Sequence, residues 1–461
     1  MMETSTPRAG WQRFVMLALI TCVLALSTAD RATLAVAGPG MSKELGLTAV
    51  QMGWLFGVFA WAYMIWQLPA GKLVDRFGTR MSVFLSIVLW SIVTFMMGGA
   101  AWLPQAFAGL LVLRFLLGTM ESPGGPGAAR VIATWFPSSE RGFAGAVFNC
   151  AQYLSLGIFM PLMGYVAFHF GWKHVFGVMG ILGLALAVVW WLLFYTPSER
   201  KRITPAEFDY IKNGGALVDE GANRRGGPEA LSAEPAINVT QLLRTRMMMG
   251  VCLAQYCISA ITFFFITWFP AYLVKARGFS IMEAGFASAL PAICGCVGGV
   301  SAGIVSDWLL RRSGSLSVAR KIPITVGLLL SAVIVGCNYT ASNSLMVALM
   351  CLSFFGKGFG SLGWTVVADM APARAVGLTG GLFNIFNAAA GIITPVAIGY
   401  IVQMTGSFEL ALAFVGCHAG LAIISYWLIV GPIRRIEIHS GKALPPAPIV
   451  STRSTRPNKS I

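Results

Sequence analysis

Five ionisable side chains, Asp30, Arg31, Arg114, Glu121 and Lys357, stand inside long apolar stretches of this chain. Left unpaired at the centre of a membrane helix, each costs roughly 2.5–3.5 kcal/mol, so such groups pair or face a wet cavity. Carboxylates there can exchange protons, and guanidinium groups can grip an anion with two prongs. On one helix, Arg114 and Glu121 are separated by a turn of ~700° and a rise of ~10 Å, so both can line one cavity wall. Asp30 and Arg31 diverge by about 100°, which sends one to the cavity and the other to a neighbouring helix. Arg31 is expected on the cavity side. With all four ionised, Asp30, Arg31, Arg114 and Glu121 sum to zero, and each arginine is expected to have an acidic partner in its fork. Protons on Asp30 and Glu121 would free both guanidinium groups for an incoming carboxylate, which couples proton binding to anion binding by linkage. The alternative is a pair of salt bridges that only fastens the first helix to the fourth; buried ion pairs stabilise poorly beside apolar packing, which favours the functional reading.

Lys357 adds a second positive centre, from the other end of the chain, for an anion with two carboxylates. Its bland alternative is snorkelling or hydrogen bonding to nearby backbone among Gly356, Gly358 and Gly360. Tyr63, in WAYMIWQLP, and Gln152 supply a hydroxyl and an amide on helices that should border the same cavity. Asn387 is the counterpart of Gln152 at an offset of 235, and Asn384 is a further candidate from the second half.

Positioning these groups requires a membrane. The chain has 461 residues, 56% hydrophobic and only 11% charged, too few charges to clothe a soluble protein of this size. Twelve apolar segments of about 20 residues, the length that crosses a bilayer, are centred near Leu24, Phe59, Trp90, Leu116, Leu154, Gly183, Thr262, Cys294, Leu330, Phe354, Ile392 and Ile423. The expected class is an all-α membrane protein of two six-helix bundles, 14–196 and 247–431. A polar N-tail 1–13, a solvent-exposed linker 197–246 and a C-tail 432–461 complete it. The formal charge of +15 follows topology rather than nucleic acid. Outside the helices, only Lys43, Lys173, Lys275 and Arg277 fall away from the segments that the positive-inside rule assigns to the cytoplasm, so both termini are expected there. Nine cysteines lie almost wholly in apolar runs and read as buried thiols; with His169 and His174 in an outer loop, no metal site is expected. No nucleotide-binding loop or nucleophile triad occurs in a soluble context.

The halves repeat each other. Gly71 and Asp75 recur as Gly303 and Asp307, and Phe148-Asn149, Gly157, Pro161 and Tyr165 recur 234 or 235 positions later as Phe383-Asn384, Gly391, Pro395 and Tyr400. Parallel repeats of this kind place substrate at the repeat interface and work by alternating access. Gly295, Gly298, Gly299 and Gly303 are expected to let helices pack closely and rock, and Pro161 and Pro395 to bend their helices.

Gly71, Asp75, Arg76, Gly78 and Arg80 resemble the signature of the major facilitator superfamily. DRATLAVAGPGM (30–41), RFLLGTMESPGGPGAAR (114–130) and WFPSSERG (135–142) are similar to its anion:cation symporter branch. DYIKNGGALVD (209–219), TWFPAYL (267–273), GLTGGLFN (377–384) and FFGKGFGSLGW (354–364) resemble the bacterial galactonate and glucarate transporters. The resemblance covers nearly the whole chain. It implies the major facilitator fold and a proton-coupled symporter in the bacterial inner membrane, importing a sugar acid, glucarate or galactarate preferred. Galactonate, another hexonate or hexuronate, or organic-anion exchange or export are the alternatives; a sensor that binds without transport is a different class again. The positions of Tyr63 and Gln152 match substrate-binding ones of that branch; with the readings above, Asp30 and Glu121 are expected as proton-coupling groups and Arg31, Arg114, Tyr63, Gln152, Lys357, Asn387 and Asn384 as substrate-binding ones. Asp75, Arg76 and Arg80, Asp307 with Arg311, and Glu140 with Arg141 would gate. Protons are the coupling ion, no cofactor is implied, the partners are the small anion and the lipid bilayer, and a monomer is expected.

Overall fold

The computed structural model describes residues 10–199, 203–218, 238–372 and 375–436. Most of the N-tail, the linker between 219 and 237, and the C-tail from 437 lie outside the described residues. Seventeen α-helices occur among the described residues. The first half comprises α1 (Gln12–Leu45), α2 (Ala49–Phe77), α3 (Thr79–Met97), α4 (Ala106–Glu121), α5 (Gly124–Trp135), α6 (Arg141–Phe170) and α7 (Trp172–Leu193). The connection carries α8 (Pro205–Asn213) and α9 (Val239–Leu243). The second half comprises α10 (Arg246–Thr267), α11 (Phe269–Arg277), α12 (Ile281–Ser313), α13 (Leu316–Ala332), α14 (Asn343–Gly358), α15 (Leu362–Met370), α16 (Val376–Thr405) and α17 (Glu409–Ile424). Twelve spans are long and apolar enough to cross a membrane, and every expected segment centre falls in one of them.

Local chemistry sets the ends. Thr48 with Gln51 and Ser280 with Glu283 form capping boxes at the starts of α2 and α12, satisfying amides that no preceding turn can reach. Gly46 ends α1 with φ 65°, a left-handed conformation that side chains resist. Pro161 and Pro395 lie inside α6 and α16, each of which runs on for 30 residues.

The fourth span of each half is broken at a matching place. In the first half α4 stops at Glu121, Ser122 and Pro123 intervene, and α5 follows. In the second, α14 stops at Gly358, Phe359–Ser361 form a 3-10 turn, and α15 follows. A buried ionisable group therefore sits at the end of the first segment in both halves: Glu121 and, one residue before the end, Lys357. The cation suits the negative pole of its helix; the carboxylate opposes it and needs partners.

The halves meet through α6 against α12 and α2 against α16. A methyl added to Gly53 would lie 2.7 Å from the Pro395 carbonyl oxygen, one on Gly57 2.9 Å from that of Ile392, and one on Gly399 2.6 Å from that of Ala49. Only glycine lets these backbones approach so closely. Because Ala49 begins α2 and Gly399 lies near the end of α16, the close contact is on the face opposite the linker. The glycines singled out from sequence do something else. Gly295 and Gly298 press α12 onto Phe354 and Phe355 of α14 within one half, and Gly303 has open space beside it.

The linker departs from expectation. Thr204 caps α8, Pro205 starts it, and Phe208 and Ile211 bury one face. Leu217 N–H donates to Ala133 O, and Ser138 N–H to Gly214 O. The segment 203–218 is thus a strap on the first half, not a solvated tether.

Candidate functional site

Gly118 explains how Arg114 is held. With no side chain at 118, α4 packs against the Phe59 carbonyl of α2. One turn earlier on both helices, the Arg114 Nε–H donates to Leu55 O at 3.2 Å. Its guanidinium also lies 5.3 Å from the Phe59 ring centre, and its Nη1 is buried with no hydrogen-bond partner. The expectation that a carboxylate fills each arginine fork therefore fails for Arg114: among the described residues none lies within ion-pair distance of it. A helix carbonyl and a ring face hold it instead.

Arg31 and Glu121 do pair, Nε to Oε2 at 2.9 Å, with the Glu121 side chain fully buried and the Arg31 side chain 29% exposed. Ser27, one turn before Arg31, donates its hydroxyl to the same Oε2 at 2.7 Å and accepts from Arg31 Nη2 at 3.2 Å. The guanidinium lies 5.0 Å from the Phe59 ring centre and 4.8 Å from that of Tyr63, two cation–π contacts that add to its grip. Asp30 leans away, as its neighbour's direction requires, and takes the Thr94 hydroxyl of α3 on Oδ2 at 2.5 Å. Oδ1 of Asp30 and Oε1 of Glu121 are buried without partners. The four charges thus form one pair, Arg31 with Glu121, flanked by Asp30 and Arg114, each held by uncharged groups.

Across the interface, Lys357 Nζ donates to the Tyr153 hydroxyl of α6 at 3.0 Å and lies 5.0 and 5.1 Å from the ring centres of Tyr153 and Phe354. This is a contact between halves, neither snorkelling nor a bond to local backbone. Asn384 Nδ2 donates to Gln67 Oε1 at 3.2 Å, a second such bridge. Asn387 Oδ1 accepts from Ser259 at 2.7 Å, and Gln255 in turn donates to Ser259, which ties α16 to α10. Gln152 is exposed on α6 beside Tyr153.

The residues expected to gate have other partners than expected. Asp75 pairs with Arg130 of α5 at 2.5 Å, while Arg80 donates to Trp191 O at 2.6 Å and lies over the Trp191 ring, and Arg76 lies over Phe77. Asp307 faces Arg320 at 3.7 Å rather than Arg311, and Arg320 also pairs with Asp369 at 2.9 Å. The first cluster joins its half's second span to the fourth directly, and the second does so through Arg320 of the third span. Glu140 pairs with Arg13 at 3.0 Å and accepts the Tyr210 hydroxyl at 2.8 Å, and Arg141 donates to Phe136 O, Ala133 O and Gly215 O, so this pair fastens the strap. Glu207, fully buried, accepts from the backbone N–H of Arg13 at 3.1 Å and of Gln12 at 3.3 Å. The Tyr210 phenol, outside the spans, is held above its ordinary pKa chiefly because its O–H donates to Glu140.

Thr94, Ser27, Tyr153, Gln67, Arg130, Arg320 and Glu207 escaped the sequence reading. Only Ser27 carried a usable signal, its spacing of one helical turn from Arg31.

Two parallel six-span halves, with buried ionisable groups inside the first and a buried lysine of the second reaching across to it, define a secondary transporter, a multi-pass membrane protein and not an enzyme. The chain belongs to the Major Facilitator Superfamily, whose family pattern it matches over residues 20–319. It is 51% identical over 430 residues to a Bacillus subtilis (strain 168) protein described as "Probable galactarate/D-glucarate transporter GudP", covering 92% of this chain and 93% of the relative. It is 47% identical over 428 residues to the Escherichia coli (strain K12) "Probable galactarate/D-glucarate transporter GarP", covering 92% and 96%. To the "D-galactonate transporter" of Escherichia coli O6:H1 it is 36% identical, covering 93% and 98%. The fold is similar, at TM-score 0.66 and 18% identity over 91% of this chain and 92% of the other, to the crystal structure of a bacterial homologue of the human lysosomal transporter Spinster in an inward-facing and occupied conformation.

Proposed function

We propose that this protein is a proton-coupled symporter that imports galactarate or D-glucarate across the bacterial inner membrane. The observation that carries the reading is the Arg31–Glu121 pair. A carboxylate that belongs to the protein occupies the guanidinium that an anionic substrate would need, and a proton on Glu121 weakens that hold. Arg31, with its partly exposed side chain and ring-lined surroundings, binds one substrate carboxylate, and Tyr63 borders it. Gln152, Asn384 and Asn387 serve the hydroxyl-bearing middle of the substrate. Asp30 and Arg114 do not compete for substrate directly; Asp30 is the second proton-exchanging group, beside the pair.

With the strap on the cytoplasmic side, as the positive-inside pattern favours, the glycine contacts on the opposite face close the external side. The high identity to relatives described as galactarate/D-glucarate transporters favours a hexarate over galactonate.

Uptake of labelled D-glucarate into proteoliposomes under an imposed pH gradient tests the reading. Accumulation that collapses with the gradient, with alkalinisation outside, is the expected result. Uptake indifferent to both pH gradient and membrane potential would overturn it; counterflow alone would indicate exchange, and binding without flux a sensor.

A further inference from the structure

We propose that Lys357 and Tyr153 together form the subsite for the second carboxylate of a diacid, and that Tyr153 is a specificity-determining residue for diacids over monoacids. The inference rests on the function proposed above. Its evidence is a cation in a transmembrane segment whose charge nothing neutralises. Among the described residues no carboxylate lies within ion-pair distance of Lys357, which is 8% exposed. Two aromatic faces and one phenol oxygen hold it instead. Rings stabilise an ammonium without cancelling its charge, so an anion arriving there finds a cation still in need of a partner. Because Tyr153 only accepts from Lys357 in that contact, its own O–H remains available to donate. Ammonium and phenol can then clasp one carboxylate from two sides.

Packing fixes the lysine in place. Gly358 lets α14 approach the backbone of α12 at Gly295 and Gly299, and Gly356 lets it approach α13 at Gly327. A lysine anchored between two such contacts, in the last turn of α14, sits where its charge suits the helix end.

The subsite lies at a different depth from Arg31. Ser155 Oγ donates to Ala25 O, and Thr33 Oγ1 to Met163 Sδ, both at a sequence separation of 130, so α1 and α6 run parallel in that register. Tyr153 is therefore level with Val23. The Arg31 guanidinium reaches back to Ser27. Four helical residues separate the two levels, about 6 Å along the bundle axis. A six-carbon chain is long enough to cover that axial offset. One end on Arg31 of the first half and the other on Lys357 of the second would join the halves through the substrate. A monoacid leaves the second subsite empty.

The test compares D-glucarate with galactonate, six-carbon acids with two carboxylates and one, as competitors of labelled glucarate uptake in proteoliposomes. Lys357→Gln should weaken glucarate by at least about tenfold and galactonate by less than about threefold. Tyr153→Phe, which keeps the ring and removes the O–H, should weaken glucarate by roughly threefold to tenfold with galactonate unchanged. Lys357→Arg should restore part of the preference. Should Lys357→Gln fail to fold, Tyr153→Phe and direct binding by calorimetry decide alone. Equal losses for both acids, or none, would overturn the subsite while leaving symport intact. A wild-type protein that takes up neither acid would overturn the function on which the subsite rests.

Discussion

Replacing Glu121 by glutamine keeps the shape of the side chain and its ability to accept from Ser27 and Arg31, but removes the charge. In the native protein the pair is 2.9 Å long with Glu121 fully buried. Removing one partner of a buried pair typically costs about 3–5 kcal/mol. That range is an upper bound here, since Arg31 stays 29% exposed and keeps two ring contacts. The binding consequence has a definite sign. If substrate binding takes up one proton at Glu121, affinity is highest when that carboxyl is protonated and falls about tenfold per pH unit once it is ionised. Over two such units the native protein should lose about 100-fold in affinity for D-glucarate, whereas Glu121→Gln should change less than about threefold and stay near the native low-pH value. Calorimetric titration of the detergent-solubilised protein at several pH values reads both slopes, and counterflow confirms that the variant still exchanges substrate. A variant whose affinity falls with pH as steeply as the native protein's would refute the assignment of the coupled proton to Glu121.

Asp30→Asn should abolish gradient-driven accumulation while sparing counterflow, because Asp30 rests on Thr94 and not on the substrate arginine; loss of both in a folded variant would make it a structural group. Glu207→Ala strips two amides at the start of α1 of a buried acceptor and should cost about 1–3 kcal/mol, visible as a lower melting temperature and faster proteolysis near Lys212. Gly53→Leu cannot be accommodated beside Pro395 O and should part α2 from α16 on the face away from the linker, read as faster alkylation of a cysteine placed at Val50. Tyr210 has a raised pKa in the folded protein, so its tie to Glu140 contributes below the ordinary tyrosine range and is lost as pH rises through the raised value. Alkaline melting curves of Tyr210→Phe should therefore lack that loss.

Much of the fold was legible because a bilayer imposes a fixed length and a ban on charge, and the five exceptions to that ban stand out in any sequence. Their partners were hidden for a physical reason. The Leu55 carbonyl that holds Arg114 has no letter in the sequence, and the gap at Gly118 that admits it looks like any other glycine. Thr94 and Tyr153 are ordinary helix residues until packing brings a charge to them. Arg130 lies far along the chain from Asp75, and Arg320 lies on the next helix after Asp307, so the nearer Arg76, Arg80 and Arg311 of the same motifs looked like the partners. Thr204, Pro205, Phe208 and Ile211 did spell a capped amphipathic helix, but the polar composition around them suggested a free tether.

The matching helix breaks are opposite in charge: an acid at one, a base at the other. A hypothetical chimera built from two first halves would carry a second titrating acid where the lysine now stands and nothing to receive the far end of a dianion. One built from two second halves would present cations with no acid to discharge them. On the proposed function, it is this difference between the two breaks that lets a single molecule answer both to protons and to the length of what it carries.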